Sequence, residues 1–225
     1  GTCLGFEELS VLETGSGNVI SLDVNATNLA LPLDLTSDAN SSRLFSSMDS
    51  SLIEALATEN ITMNSHGHGL LMSEYESNTN LSSFFQVLST NVAPSNGAVF
   101  VSTMEALKYP FYGTQWHPEK NNFEWSLSAE YTNIPHSYNA ILASQATATF
   151  FLQEARKSSH VFPEDEQDKL IYSAPLLYTG PDWRYEQVHV FDKKVTTTSG
   201  SINSRLKGYV RSLLPSILQS VRLVR

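Results

Sequence analysis

The chain has one cysteine, Cys3, framed as Gly1-Thr2-Cys3-Leu4-Gly5 and followed by a helix-like apolar pattern. Glycine on both sides suits a sharp strand-to-helix turn, where the backbone crowds and a nucleophilic side chain must stand clear. The start of a helix behind Cys3 would favour a thiolate. Far downstream stands Tyr112-Gly113-Thr114-Gln115-Trp116-His117-Pro118-Glu119-Lys120. There His117 is a candidate base for the cysteine, and Glu119, two residues on, is a candidate to orient the imidazole. A lone Gly-x-Cys-x-Gly often arises by chance, and a lone histidine is more often a hydrogen-bonded structural residue. The pair, in this order and across an α/β-like stretch, is what points to a Cys-His-Glu triad.

The elements that must hold these residues follow from periodicity and turn signals. Leu4 to Leu12 reads as a short helix with Leu4, Leu9 and Leu12 near one face. Asn18 to Asp23 reads as a strand, and 24–50, rich in Asn, Ser, Asp and Thr, as loop with edge strands. Ser51 to Thr58 and Leu81 to Leu88 read as helices. Ala98 to Met104 and Tyr112 to Trp116 are the clearest strands, the second ending beside His117. Residues 137–157 form the best helix, with Leu142, Ala146, Phe150, Phe151 and Ala155 as its core stripe. Glu164 to Asp168 reads as a solvated acidic loop, and Leu170–Tyr178 and Gln187–Phe191 as late strands. An elbow normally follows a central strand, and almost nothing precedes Cys3, so the chain reads as the second half of an enzyme.

Composition narrows the classes. At 225 residues and 41% hydrophobic, the chain can build one domain with a sizeable core. It has no apolar run of about 18 residues, so no transmembrane helix is expected. A single cysteine excludes an internal disulfide and a cysteine-cluster metal site. His66 and His68, in Asn64-Ser65-His66-Gly67-His68, are too few for a convincing metal site, so no metal or other cofactor is expected. The net charge of −9 hides a split. Residues 1–192 hold all 23 acidic residues against seven basic ones, a formal −16, while 193–225 carry seven basic residues and no acidic one. An acidic body disfavours nucleic acid. Four Asn-x-Ser/Thr sequons, at Asn25, Asn40, Asn60 and Asn80, fit a secretory route, although an Asn- and Ser-rich stretch also makes them by chance.

Together the elbow and Gln115-Trp116-His117-Pro118-Glu119-Lys120 resemble class I glutamine amidotransferase-like proteins, and within them the γ-glutamyl hydrolase family. Phe84-Phe85-Gln86-Val87-Leu88, Phe100-Val101-Ser102-Thr103-Met104-Glu105, Lys108-Tyr109-Pro110, Glu154-Ala155-Arg156-Lys157, Leu170-Ile171-Tyr172 and Tyr178-Thr179-Gly180 extend the likeness. It runs from residue 1 to about 192, the hydrolase portion. From Lys193 the chain reads as a basic non-family tail, nonfunctional or disordered rather than a membrane-surface helix, with read-through of noncoding sequence as a third reading.

The resemblance implies an α/β, flavodoxin-like fold: three layers around a mostly parallel sheet, here without its N-terminal strands. It implies hydrolysis of γ-glutamyl bonds in folate or antifolate polyglutamates through a thioester on Cys3. Leu4 would give one oxyanion-hole N–H, and the second donor would come from an upstream glycine-rich loop. His66 matches a functional, substrate-side histidine, but family members often carry His-x-Trp where this chain has His68. A homodimer and a lysosomal or extracellular location, vacuolar in a plant, are implied as well. For an acidic body, a polyanionic substrate requires local donors: backbone N–H groups, a few Arg or Lys, or residues upstream of residue 1. Two other readings stand beside this one: an inactive truncated isoform, and the glutaminase subunit of an amidotransferase, which the sequons disfavour.

Overall fold

The structure is a computed structural model that describes residues 1–129, 131–180 and 185–191. The basic tail of 193–225 lies outside them. Helix α1 (Leu4–Thr14) starts directly after Cys3 and ends at Gly15, whose φ of 68° is the left-handed conformation that closes a helix. Short strands β1 (Ile20–Ser21), β2 (Leu29–Leu31) and β3 (Asp34–Leu35) follow, then helix α2 (Ser50–Thr58), β4 (Thr62–Asn64) and β5 (Gly69–Leu70). Helices α3 (Met72–Ser77) and α4 (Thr79–Phe84) lead into the two long strands β6 (Phe85–Val92) and β7 (Val99–Ala106), and then β8 (Tyr112–Thr114). Helix α5 (Lys120–Phe123), the long helix α6 (Tyr138–Ala155), β9 (Leu176–Tyr178) and β10 (Gln187–His189) complete the order.

The expected mostly parallel sheet is not what forms. The main sheet has the order β3-β6-β7-β8, and every pair in it is antiparallel. β1 with β5, β2 with β4 and β9 with β10 are antiparallel two-stranded pairs. The reason is local. A parallel neighbour needs a crossover of a dozen or more residues, whereas only six residues separate β6 from β7 and five separate β7 from β8. Among the described residues, parallel pairing occurs at one isolated bridge, Thr2 with Thr114.

Both faces of the sheet are covered. Phe6 of α1 packs with Leu70, Leu81, Phe85, Val101 and Met104 on one side. Leu88 and Trp116 pack with α2 and α6 on the other, through Leu52, Leu56, Ala140, Ala143 and Phe150. A buried polar chain runs through the sheet. The Trp116 indole N–H donates to Thr103 Oγ1 at 3.0 Å, and the Ser89 hydroxyl donates to the same oxygen at 2.8 Å. Each group is satisfied, which fixes Trp116, and so the residue after it, His117.

Several element readings change. Leu81–Leu88 is not one helix: α4 stops at Phe84, and Phe85 opens β6, whose alternate residues pack against the two layers. In α1 the buried anchor is Phe6, while Leu4 is 65% and Leu12 78% exposed. In α6 Phe150 is buried but Phe151 is 66% exposed and Ala155 is also exposed. Adjacent helical residues point about 100° apart, so the two phenylalanines cannot share one core stripe. Glu164–Lys169 forms an exposed 3-10 helix rather than a loop.

Candidate active site

Cys3 sits at a forced turn. Its φ of 50° and ψ of −106° are unusual for a side-chain-bearing residue. Such strain persists only where the surroundings hold it, here a strand on one side and a helix on the other. The strand side is a three-residue stub along β8: Thr114 N–H donates to Gly1 O at 2.9 Å, and Cys3 N–H donates to Thr114 O at 2.8 Å. Gly1 is the glycine that matters. A Cβ there would lie 2.3 Å from Gly5 O, whereas a Cβ on Gly5 meets nothing within 4 Å. The expected need for glycine on both sides is thus confined to the first.

Past Thr114 the chain turns through Gln115 and Trp116 to His117, whose N–H is anchored on Met63 O of β4 at 2.7 Å. His117 Nδ1 lies 2.6 Å from Glu119 Oε1. That leaves Nε2 as the ring nitrogen open to Cys3, whose side chain is near enough to act on the imidazole's protonation. Burial opposes a charge on His117. The hydrogen bonds and negative charges of Cys3 and Glu119 outweigh it and raise the imidazole to about 9. Burial likewise opposes charge on Glu119, but the hydrogen bond and charge of His117 hold its carboxyl below the usual range. The side chain of His117 is 16% exposed and that of Glu119 51% exposed, so the pair faces the surface. Leu4 is the first residue of α1, where a helix N–H has no intrahelical acceptor.

His66 is placed differently from Cys3 and His117. It is 5% exposed and its ring packs edge-on against Phe100 at 5.2 Å. Nδ1 is 2.7 Å from His68 O and Nε2 3.2 Å from Asn64 Oδ1. Burial, reinforced by the charges of His117 and His68, lowers its imidazole to about 4 despite these acceptors. These contacts bind His66 to both ends of the loop between β4 and β5. His68 itself is exposed. Among the described residues no three His, Cys, Asp or Glu side chains converge as metal ligands.

One site pair was not foreseen. Glu7, in the first turn of α1, is 8% exposed and accepts from Gln115 Nε2 at 3.1 Å. The bond ties the helix behind Cys3 to the segment carrying His117. Gln115 Oε1 is buried with no partner among the described residues. No local pattern marks two residues 108 positions apart.

Comparison with known proteins bears on this geometry. No protein-family model matches the chain. It is 41% identical over 194 residues to gamma-glutamyl hydrolase of Mus musculus, covering 85% of this chain and 59% of that protein. It is 41% identical over 195 residues to gamma-glutamyl hydrolase of Homo sapiens, with the same coverage. It is 38% identical over 205 residues to gamma-glutamyl hydrolase B of Dictyostelium discoideum, covering 90% and 58%. Over the aligned stretch this chain is a homologue of the gamma-glutamyl hydrolases. It spans about three fifths of the length of the curated relatives it matches.

Against that gamma-glutamyl hydrolase background, two further features bear on the site. The nearest lysine, Lys120, is 3% exposed and bound to Glu124 at 2.7 Å, so it is not a free donor for a substrate carboxylate. A cavity of about 790 Å³ opens beside Thr2 and Glu119 and is walled by Asn122, Phe123, Ala148 and Phe151. The sequon asparagines Asn25, Asn40, Asn60 and Asn80 are all exposed. Among the described residues no helix is long and apolar enough to cross a membrane.

Proposed function

We propose that the protein to which this chain belongs hydrolyses γ-glutamyl bonds of folate and antifolate polyglutamates, with Cys3 as nucleophile. The supporting observation is the aligned Cys3, His117 and Glu119, in a homologue of proteins named gamma-glutamyl hydrolase. The thiolate of Cys3 attacks the γ-carbonyl carbon and forms a C–S bond. His117, protonated at the outset, gives its Nε2 proton to the leaving amine as the C–N bond breaks. The resulting thioester is opened by water. Neutral His117 takes the water's proton, hydroxide oxygen adds to the carbonyl, and the sulfur leaves as thiolate. The Leu4 N–H, which as the first of α1 has no intrahelical acceptor, donates to the oxyanion of both tetrahedral states. Glu119 holds the ring and stabilises its charged form.

Exposure of the four sequon asparagines supports glycosylation on a secretory route, and with it a lysosomal, vacuolar or extracellular location. The resemblance to the family is the support for a homodimer. Glycosidase treatment of protein from a eukaryotic secretory host tests the first, through a stepwise loss of mass. Light scattering of the eluting protein tests the second.

The test of the activity is glutamate release from pteroyl diglutamate by the full-length protein and its Cys3→Ala variant. Release should vanish in the variant, and near-normal turnover there would refute the assignment of Cys3.

A further inference from the structure

Glu119 holds the His117 ring at 2.6 Å, yet its own side chain is 51% exposed and makes no capping bond to α5. A carboxylate with so little packing of its own takes its direction from its chain neighbours. Pro118, before it, has a fixed φ. Lys120, after it, is the first residue of α5, and its N–H reaches back to His117 O at 3.5 Å. Lys120 is 3% exposed, and a lysine is almost never buried so fully unless it is paired.

The pairing draws on three parts of the chain. Just past α5, Glu124 Oε2 lies 2.7 Å from Lys120 Nζ. The same ammonium stands over the ring of Tyr131 at 6.0 Å and over the ring of Tyr185 at 5.4 Å, distances at which a ring face attracts a desolvated cation. Tyr131 is itself buried in a cluster with Met63, whose carbonyl anchors the His117 N–H.

Tyr185 belongs to the connection between β9 and β10, and the next residue fastens that hairpin in place. Glu186 O accepts from Thr179 N–H at 2.8 Å, which closes the hairpin. Glu186 Oε1 accepts from Trp125 N–H at 2.7 Å, which ties it to the end of the α5 segment. On the core side, Asn121 Nδ2 donates to Ile61 O and Ala140 O, both at 3.0 Å. The segment that carries Glu119 is thus held by the core through Asn121, and by the loop and the hairpin through Lys120.

We infer that Lys120 is a positioning residue, whose caged ammonium makes the β9–β10 hairpin a brace that fixes the Glu119 carboxylate against His117. The inference rests on the reading of Cys3, His117 and Glu119 as a hydrolase site, and it gives the late hairpin a part in the chemistry although it supplies no reacting group.

The experiment is a double-mutant cycle in the full-length protein: unsubstituted, Lys120→Met, Glu119→Gln and both together, assayed for glutamate release from pteroyl diglutamate. Loss of orientation falls on kcat, so Lys120→Met should lower kcat about ten- to a hundredfold with KM within about twofold. In the Glu119→Gln background the same change should alter kcat by less than about twofold, whereas general damage to the fold would lower both backgrounds alike. NMR titration of labelled His117 reads the contact independently of the substrate. Its midpoint should fall in Lys120→Met toward that of Glu119→Gln. Removal of a positive charge by itself acts in the opposite direction, so a fall reports the lost carboxylate contact. An unmoved or raised midpoint, or an equal loss of kcat in both backgrounds, overturns the inference. Should Lys120→Met not fold, Tyr185→Leu carries the same test with about a threefold effect on kcat. Absence of glutamate release from the unsubstituted protein would refute the proposed hydrolysis, and the NMR comparison would still decide the role of Lys120.

Discussion

The Cys3 N–H donates to Thr114 O at 2.8 Å, and this bond is what brings the two halves of the candidate site together. It lays the strand stub before the elbow along β8. Three residues past Thr114 the same strand delivers His117. Nucleophile and base are thus set by adjacent backbones rather than by two independent loops, a rigid arrangement for groups that must meet at hydrogen-bond distance.

The close approach at the elbow predicts an asymmetry between its glycines. Gly1→Ala places a Cβ 2.3 Å from Gly5 O and must push α1 away from β8. A loss of about 2 kcal/mol or more in unfolding free energy, with most of the activity, is expected. Gly5→Ala fills open space inside a helix and should be neutral, or stabilising by about 0.5–1 kcal/mol. Chemical denaturation of both full-length variants measures the contrast, and equal destabilisation would contradict the elbow geometry.

Glu119→Gln keeps the shape of the carboxylate and removes its charge. The imidazole of His117, raised to about 9 in the intact site, should then titrate lower. Turnover should fall by about a hundredfold or more, since losing the carboxylate that orients a triad's imidazole costs up to about 10⁴. NMR titration of labelled histidine checks the first claim and steady-state kinetics the second. An unmoved midpoint would mean that Glu119 does not act on the ring.

Two histidines predict opposite pH limbs of stability. His117 is raised in the folded state, so its stabilisation is complete below about 6.5 and is lost as pH rises through about 9. His66 is lowered to about 4, so the stabilisation from keeping it neutral is present above about 6.5 and is lost as pH falls through about 4. Each limb is on the order of 3 kcal/mol at most. Thermal melts from pH 3 to 10 should show His117→Gln flattening the alkaline limb and His66→Gln the acid limb. The reverse pairing would contradict both assignments.

The reach of the sequence was uneven, for physical reasons. Cys3, His117 and Glu119 were legible because the turn, the strand and the short spacing each leave a local signature. Val99–Ala106 and Tyr138–Ala155 were legible because β-branched runs and a long 3.6-residue period are local too. The sheet direction was not. It depends on the connections of six and five residues around β7, and the family likeness suggested parallel strands instead. The break between α4 and β6 at Phe84–Phe85 was hidden because an apolar run fits either element. The Glu7–Gln115 bond was out of reach because it depends on tertiary packing.

That bond is measurable. Glu7→Leu removes the acceptor of Gln115 Nε2 in a side chain whose Oε1 has no partner among the described residues. A loss of about 1–3 kcal/mol is expected for the single variant. Adding Gln115→Leu should recover part of it, and strictly additive losses in the double-mutant cycle would show that the two side chains do not interact.

A covalent step at Cys3 is visible in the intact mass of the protein from an acid-quenched reaction. The full-length protein mixed with pteroyl diglutamate and quenched within milliseconds should gain the mass of a pteroylglutamyl group less one hydrogen. Peptide mapping should place it on Cys3, and the Cys3→Ala protein should show none. Release of glutamate with the adduct on another residue, or undiminished release from Cys3→Ala, would rule out Cys3 as the nucleophile.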